Sequence, residues 1–172
     1  MADTLARAPI IVTALFGGAD HAFLDGLRRA HFPAERNQLT AHLTLFHHLP
    51  PSMADEIARR LRQETHGVAL PAARLAGLID LGGGVAFRVE SAALLAIRGR
   101  LAEGFAGMLT PQDAAGWRPH VTVQNKVSPA VARATRAELE CGFSPRPLAI
   151  TALASCYYRG GPWEAIARYA FG

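Results

Sequence analysis

Apolar and polar positions in the first half of the chain alternate between strand and helix periods. Residues 9–16 form a β-rich run, and residues 19–31 place apolar side chains at helical spacing. Ser52 precedes the next helical stripe, and Asp55 three residues later resembles a capping box. The elements predicted for this half are a strand at 9–16, a helix at 19–31, a strand at 39–49, a helix from 52 to 67 and extended chain at 68–81.

The second half repeats this order of elements. Ser91 is positioned to cap a helix whose apolar stripe extends to Met108, and Ser128 with Pro129 is positioned to open another helix. The Gly82–Gly84 triplet lacks the Lys-Ser/Thr ending of a phosphate-binding loop, so we predict a hairpin turn. The elements predicted after that turn are a strand at 85–90, a helix at 91–108, a loop at 110–118, strands at 120–124, 147–158 and 163–171, and a helix from 128 to 142.

The element string is therefore β-α-β-α-β followed by β-α-β-α-β-β. No linker rich in Gly, Ser or Pro separates the halves, which predicts one domain over residues 1–172. Within it we place a first lobe at about 9–81 and a second at about 82–172.

Composition excludes some classes of protein. Half of the residues are apolar, yet no apolar run approaches the ~20 residues of a membrane span. The N-terminal segment 1–16 reads better as a strand than as a secretion signal, so we expect a cytoplasmic protein. Cys141 and Cys156 lack the spacing of a zinc site or a disulfide framework. The net charge of +4 favours anionic ligands but is too dispersed to establish nucleic-acid binding.

One short phrase occurs twice. His42-Leu-Thr44-Leu and His120-Val-Thr122-Val each lie on a predicted strand, one in each half. Side chains at i and i+2 of a strand share a face and lie about 7 Å apart. Each strand thus presents an imidazole beside a hydroxyl, with aliphatic side chains on its other face. Chance alone predicts roughly 0.2 such phrases in a chain of this composition, so the second copy makes the pattern informative.

Two imidazoles that face one cleft suit phosphodiester chemistry. Attack and departure at phosphorus occur roughly in line, so a proton acceptor is needed on one side and a donor on the other. Imidazole can do both near neutral pH. The hydroxyls of Thr44 and Thr122 are suited to bind the non-bridging oxygens. This scheme requires neither a metal nor another cofactor.

The pair "HLTL" and "RPHVTV", with the order of elements, resembles the two-histidine (2H) phosphoesterase superfamily. It resembles in particular the bacterial 2'-5' RNA ligase / 2',3'-cyclic phosphodiesterase branch. The resemblance implies an α+β fold of two pseudo-symmetric lobes, each an antiparallel sheet with outer helices, with strands exchanged between lobes and a central groove. It also implies that His42 donates a proton, that His120 accepts one, and that Thr44 and Thr122 bind phosphate.

Other residues are weaker candidates. Many family members place a basic residue shortly after the second motif; here the sequence is "QNK". Lys126 shares the face of His120 if the strand stays regular, and it is a candidate phosphate cation or an ordinary surface lysine. Arg118 precedes that motif and can meet a phosphate. Phe46, in register with His42, is a candidate for base stacking but also for the core. Tyr157 and Tyr158 point to opposite faces, so at most one reaches the groove, and Tyr157 is the candidate substrate contact. His47 and His48 suggest a metal, but no second cluster of ligands accompanies them.

The sequence leaves several functions open. We favour hydrolysis of 2',3'-cyclic phosphate ends of RNA or nucleotides. The alternatives are a 2'-5' RNA ligase and a non-catalytic RNA- or nucleotide-binding module of the same fold. The expected partners are RNA ends or cyclic nucleotide phosphates, without a membrane or a metal, and nothing in the sequence demands more than a monomer.

Overall fold

The computed structural model describes residues 8–172. The first part of the segment considered as a secretion signal, residues 1–7, lies outside it. No helix within the described residues is long and apolar enough to cross a membrane. The strands are β1 (Ile10–Phe16), β2 (Leu43–Leu49), β3 (Arg74–Asp80), β4 (Val85–Glu90), β5 (His120–Gln124), β6 (Arg146–Pro147), β7 (Ile150–Tyr157) and β8 (Glu164–Ala170). The helices are α1 (Gly18–His31), α2 (Ala54–Thr65), α3 (Ala92–Gly104), α4 (Pro111–Ala114) and α5 (Pro129–Glu140).

The strands form two four-stranded antiparallel sheets, and the fold is α+β. One sheet has the order β2-β1-β7-β8, and the other has the order β5-β4-β3-β6. The strands that carry the repeated phrase, β2 and β5, therefore each lie at the edge of a sheet. These two edge strands contact one another, so the two copies of the phrase meet where the sheets come together.

The sheets do not coincide with the chain halves 9–81 and 82–172. β3 belongs to the first half but pairs with β4, in the sheet of β5. β7 and β8 belong to the second half, yet β7 pairs with β1. The boundary at residue 81 marks a hairpin turn within one sheet, where the amide of Leu81 donates to the carbonyl of Gly84 (2.9 Å).

Two predicted helix starts are confirmed by their caps. The hydroxyl of Ser91 accepts a hydrogen bond from the amide of Leu94 (3.1 Å), and that of Ser128 accepts one from Val131 (3.2 Å). The capping box at Ser52 is wrong. Pro51–Met53 form a 3₁₀ turn after Pro50, so α2 begins at Ala54 without a side-chain cap.

Two other boundaries differ from the prediction. α3 ends at Gly104, and Met108, the predicted end of its stripe, is 48% exposed. The chain leaves the helix at Phe105 and turns at Gly107, whose φ of 82° lies outside the helical region, so Met108 does not continue the stripe. The predicted loop 110–118 contains the short helix α4, which Thr110 caps.

The motif strands are anchored by buried aliphatic residues. Leu43, Leu45, Val121 and Val123 are all fully buried in one continuous core. Burying each such side chain contributes about 1.5–3 kcal/mol to folding. The core therefore holds the backbone of both strands rigidly while their other faces stay accessible.

Candidate active site

Both motif histidines make the same local hydrogen bond. The Nδ1 of His42 lies 2.7 Å from the carbonyl oxygen of Thr40, and the Nδ1 of His120 lies 2.8 Å from that of Arg118. A carbonyl oxygen can only accept, so each Nδ1 carries hydrogen and donates it. In the neutral ring the lone pair is then on Nε2. The backbone contact therefore fixes the same tautomer in both imidazoles.

The motif threonines are half-buried, in contrast to the fully buried aliphatic residues that alternate with them. His42 lies directly before the first residue of β2, and His120 is the first residue of β5. Each strand therefore places its imidazole at its beginning and its hydroxyl two residues further along the same face. The burial patterns of β2 and β5, with half-buried threonines between buried aliphatic residues, agree with that alternation around Thr44 and Thr122.

The surroundings of His42 keep its imidazole neutral. Burial lowers the pKa of His42 to about 4, against the opposing effect of the hydrogen bond to Thr40. The positive charges of Arg28, His120 and His47 lower the pKa further. The contact between β2 and β5 brings the two motifs near each other.

Each motif strand is bound to a side chain from the other half of the chain. The indole Nε1 of Trp117 donates to the carbonyl of Thr44 (3.0 Å), and the guanidinium of Arg28 on α1 donates to the carbonyl of Thr122 (3.0 Å). Because both carbonyls lie on edge strands, these side chains provide the partners that a neighbouring strand would otherwise supply. The reciprocal bonds fix the position of one motif relative to the other.

A tryptophan outside both motifs lies against His42. The ring centroids of Trp163 and His42 are 4.6 Å apart, at an interplanar angle of 60°. Both line a cavity of about 520 Å³ that lies along β1, β7 and β8, together with Leu39 and Ile166. We call it the His42 cavity. Its largely apolar walls, with the His42 imidazole and the Arg168 side chain among the lining, suit a flat organic group.

The adjacent histidines His47 and His48 form hydrogen bonds with a buried carboxylate. Asp113 on α4 is 1% exposed and accepts hydrogen bonds from the amides of His47 and His48, both at 2.9 Å. The imidazole Nδ1 of His47 lies 3.1 Å from the same carboxylate. Among residues 8–172 no group of three His, Cys, Asp or Glu side chains is arranged to hold a metal ion. This pair therefore ties the α4 segment to β2.

Phe46 does not reach the groove, so its proposed base-stacking role is wrong. Its side chain is fully buried, 5.6 Å from the ring of Phe105 and 4.3 Å from the guanidinium of Arg98. Thr13 pairs with Thr44 but Val12 pairs with Phe46, so a bulge separates the two positions. A bulge shifts the strand alternation by one residue, and Phe46 turns into the core.

The other candidate substrate contacts, Lys126, Tyr157 and Arg118, lie in different surroundings. β5 ends at Gln124, and Lys126 has a φ of 64°, so it does not continue the strand face of His120. Lys126 instead lines a second cavity, which Tyr158 also lines and Tyr157 does not. The ring of Tyr157 contacts the guanidinium of Arg159 (5.1 Å). Arg118 is exposed, and its backbone carbonyl orients His120.

The sequence interpretation missed Arg28, Asp113, Trp117 and Trp163. All four act over long separations in the chain; Arg28 and Thr122, for example, are 94 residues apart. No periodicity within one element marks such a residue. The sequence held one weak signal, which concerned Trp163. This tryptophan follows the Gly160–Gly161 turn in a connecting segment, and binding residues often lie in such segments.

Comparisons with known proteins agree with this architecture. A family model described as the 2'-5' RNA ligase superfamily matches residues 17–162, most of the chain and both motifs. No curated protein sequence matches the chain.

Solved structures share the fold at low sequence identity. The crystal structure of TT0787 from Thermus thermophilus has a TM-score of 0.66 at 13% identity, covering 95% of this chain and 97% of that one. The structure of E. coli LigT in complex with 3'-AMP has a TM-score of 0.63 at 16% identity, covering 96% of this chain and 98% of that one. At such identities the likeness concerns the fold.

Proposed function

Because this chain belongs to the 2'-5' RNA ligase superfamily, we propose that it is a metal-independent phosphodiesterase acting on 2',3'-cyclic phosphate ends of RNA or nucleotides. The superfamily supports phosphoryl-transfer chemistry on RNA or nucleotides. The observation that carries the finer proposal is the matched pair of imidazoles. Both have Nδ1 held by a backbone carbonyl, and both lie at the beginning of edge strands that contact each other. E. coli LigT, which shares the fold, was crystallised with 3'-AMP, the kind of product such a reaction yields.

The proposed reaction needs one neutral and one protonated imidazole. A water molecule attacks the phosphorus while the neutral Nε2 takes its proton, and a new P–O bond forms. The bond to one ribose oxygen breaks, and the protonated imidazole gives that oxygen its proton. The hydroxyls of Thr44 and Thr122 donate to the non-bridging oxygens, where negative charge accumulates. The product is a phosphate monoester beside a free ribose hydroxyl.

The lowered pKa of His42 bears on the division of roles. The family resemblance gives the donor role to His42 and the acceptor role to His120. A pKa of about 4 leaves only about 0.1% of His42 protonated at pH 7. We therefore propose the opposite assignment for the free enzyme, with His42 as the acceptor and His120 as the donor.

The pH dependence tests this assignment. The neutral form of His42 is lost as pH falls through about 4, so kcat/KM is expected to show an acid limb there. Titration of the His42 ring by NMR should give the same midpoint, and the His42→Ala variant should lack the limb. A midpoint near the ordinary 6.5 in both measurements would reject His42 as an acceptor with a lowered pKa.

The activity itself is tested with a panel of 2',3'-cyclic phosphates, recording whether the product carries a 2' or a 3' phosphate. We expect hydrolysis that is unchanged by excess EDTA, because the scheme uses side chains alone. Loss of activity with EDTA and recovery with a divalent ion would contradict the metal-free proposal. Binding without turnover would favour a binding module, and joining of RNA halves would favour a ligase.

The compartment we propose is the cytoplasm, where RNA ends and reduced cysteines occur together.

A further inference from the structure

A second cavity next to the candidate active site is lined by three cationic side chains. It has a volume of about 420 Å³, and we call it the cationic cavity. Within the described part of the chain, no acidic residue lines it. A concave surface of one charge sign concentrates ligands of the opposite charge. Its charged and aromatic lining residues are Arg28, Arg36, Lys126, Phe32, Tyr158 and Trp163.

The cationic cavity adjoins the His42 cavity. Both are lined by Gln38, Leu39 and Trp163. Trp163 contacts the His42 ring, and Arg28 donates to the backbone of Thr122. A ligand in the cationic cavity would therefore lie beside the reacting phosphate, separated from His42 by the indole.

Lys126 lines this cavity from an unusual backbone conformation. It is the chain's single lysine, against 17 arginines. Its φ of 64° is the one positive value among the non-glycine residues of the described chain. The amide of Lys126 donates to the side-chain oxygen of Asn125 (2.9 Å), which supports the turn. A lysine in this region is energetically unfavourable, and such positions cluster where ligands bind.

We propose that the cationic cavity binds a second phosphate group of the substrate, beyond the one that reacts. The inference rests on the proposed function and narrows its substrate class to cyclic phosphates joined to another phosphate. Three cations supply the charge, while Phe32 and Tyr158 supply aromatic surfaces of the kind that accompany a bound nucleic-acid backbone. Two sources share this chemistry: the adjoining phosphodiester of an RNA strand, and the pyrophosphate of an ADP-ribose cyclic phosphate.

The test compares three substrates by kcat/KM: a nucleoside 2',3'-cyclic phosphate, a dinucleotide with the same cyclic end, and an ADP-ribose cyclic phosphate. The wild-type protein is expected to prefer at least one substrate with a second phosphate. Arg36→Gln is expected to lower kcat/KM for that substrate about tenfold more than for the mononucleotide. Lys126→Asn, which suits a left-handed backbone, should reduce the same preference. The preference should also weaken as salt concentration rises.

Arg133→Gln is the matched control. Arg133 is exposed on α5 and does not line the cationic cavity. Its replacement by glutamine removes the same charge as Arg36→Gln. It should leave the ratio between substrates as in the wild type. Comparing kcat/KM for the dinucleotide and for the ADP-ribose cyclic phosphate identifies whether the cavity accepts an RNA phosphodiester or a pyrophosphate.

The outcomes separate this inference from the proposed function. Equal kcat/KM for all three substrates, or a preference that Arg36→Gln and Lys126→Asn both retain, overturns the second-phosphate site while hydrolysis stands. Absence of turnover on every substrate overturns the proposed function instead. In that case the affinities of the same three ligands are measured by calorimetry. Tighter binding of a ligand with a second phosphate, weakened by Arg36→Gln and Lys126→Asn, supports the inference, and equal affinities overturn it.

Discussion

Replacing either His42 or His120 by alanine is expected to lower kcat for a 2',3'-cyclic phosphate by about 100- to 10,000-fold. Each substitution removes one of the two proton-transfer groups, and general acid or base catalysis contributes about that factor. Both rings lie at strand beginnings whose buried neighbours are untouched by the substitution, so folding should be preserved. The measurement is initial-rate kinetics together with circular dichroism and thermal unfolding of each variant.

Two further variants make this prediction specific. The double variant should be about as slow as the slower single variant, since the two groups act as a unit in one step. His48→Ala is the matched control, because His48 is exposed on the same strand and its structural bond comes from its backbone amide. Turnover of a well-folded His42→Ala or His120→Ala variant at the wild-type rate would reject the two-histidine mechanism.

Replacing Asp113 by alanine is expected to lower the free energy of unfolding by about 2–4 kcal/mol. The buried carboxylate accepts hydrogen bonds from two amides and one imidazole of β2. Removing it leaves those donors without their charged partner. Thermal and urea unfolding measure the loss, which corresponds to a fall in Tm of about 10 °C for a chain of this size.

The stabilisation by Asp113 should also depend on pH. Burial alone would raise the pKa of Asp113, but the hydrogen bonds from His47 and His48 and the charge of His47 lower it below its ordinary value. A lowered folded-state pKa means that the contribution is present above about pH 4 and is lost as pH falls through the folded-state value. The difference in stability between the wild type and Asp113→Asn should therefore shrink on acidification.

Glu103→Ala is the control for the Asp113 variants, since Glu103 is exposed on α3. It should change stability by less than about 0.5 kcal/mol. Should Asp113→Ala unfold as the wild type does, the buried carboxylate would not be what ties α4 to β2.

The sequence predicted the elements that local signals define. The caps at Ser91 and Ser128 and the turn at Gly82–Gly84 each involve residues within a few positions of one another. The predictions failed where a local pattern was interrupted. A bulge moved Phe46 into the core, and a left-handed residue took Lys126 off its strand face. Neither interruption leaves a mark in the apolar periodicity.

The sequence by itself determined the two half-sites, because strand alternation alone places His42 beside Thr44 and His120 beside Thr122. The tertiary structure decided how the half-sites meet. It placed β2 and β5 at facing sheet edges, joined them through Arg28 and Trp117, and brought Trp163 against His42. These contacts join residues far apart in the chain, and their existence depends on the path of the whole backbone. A pattern within one element specifies which face a side chain occupies, but not what that face will meet.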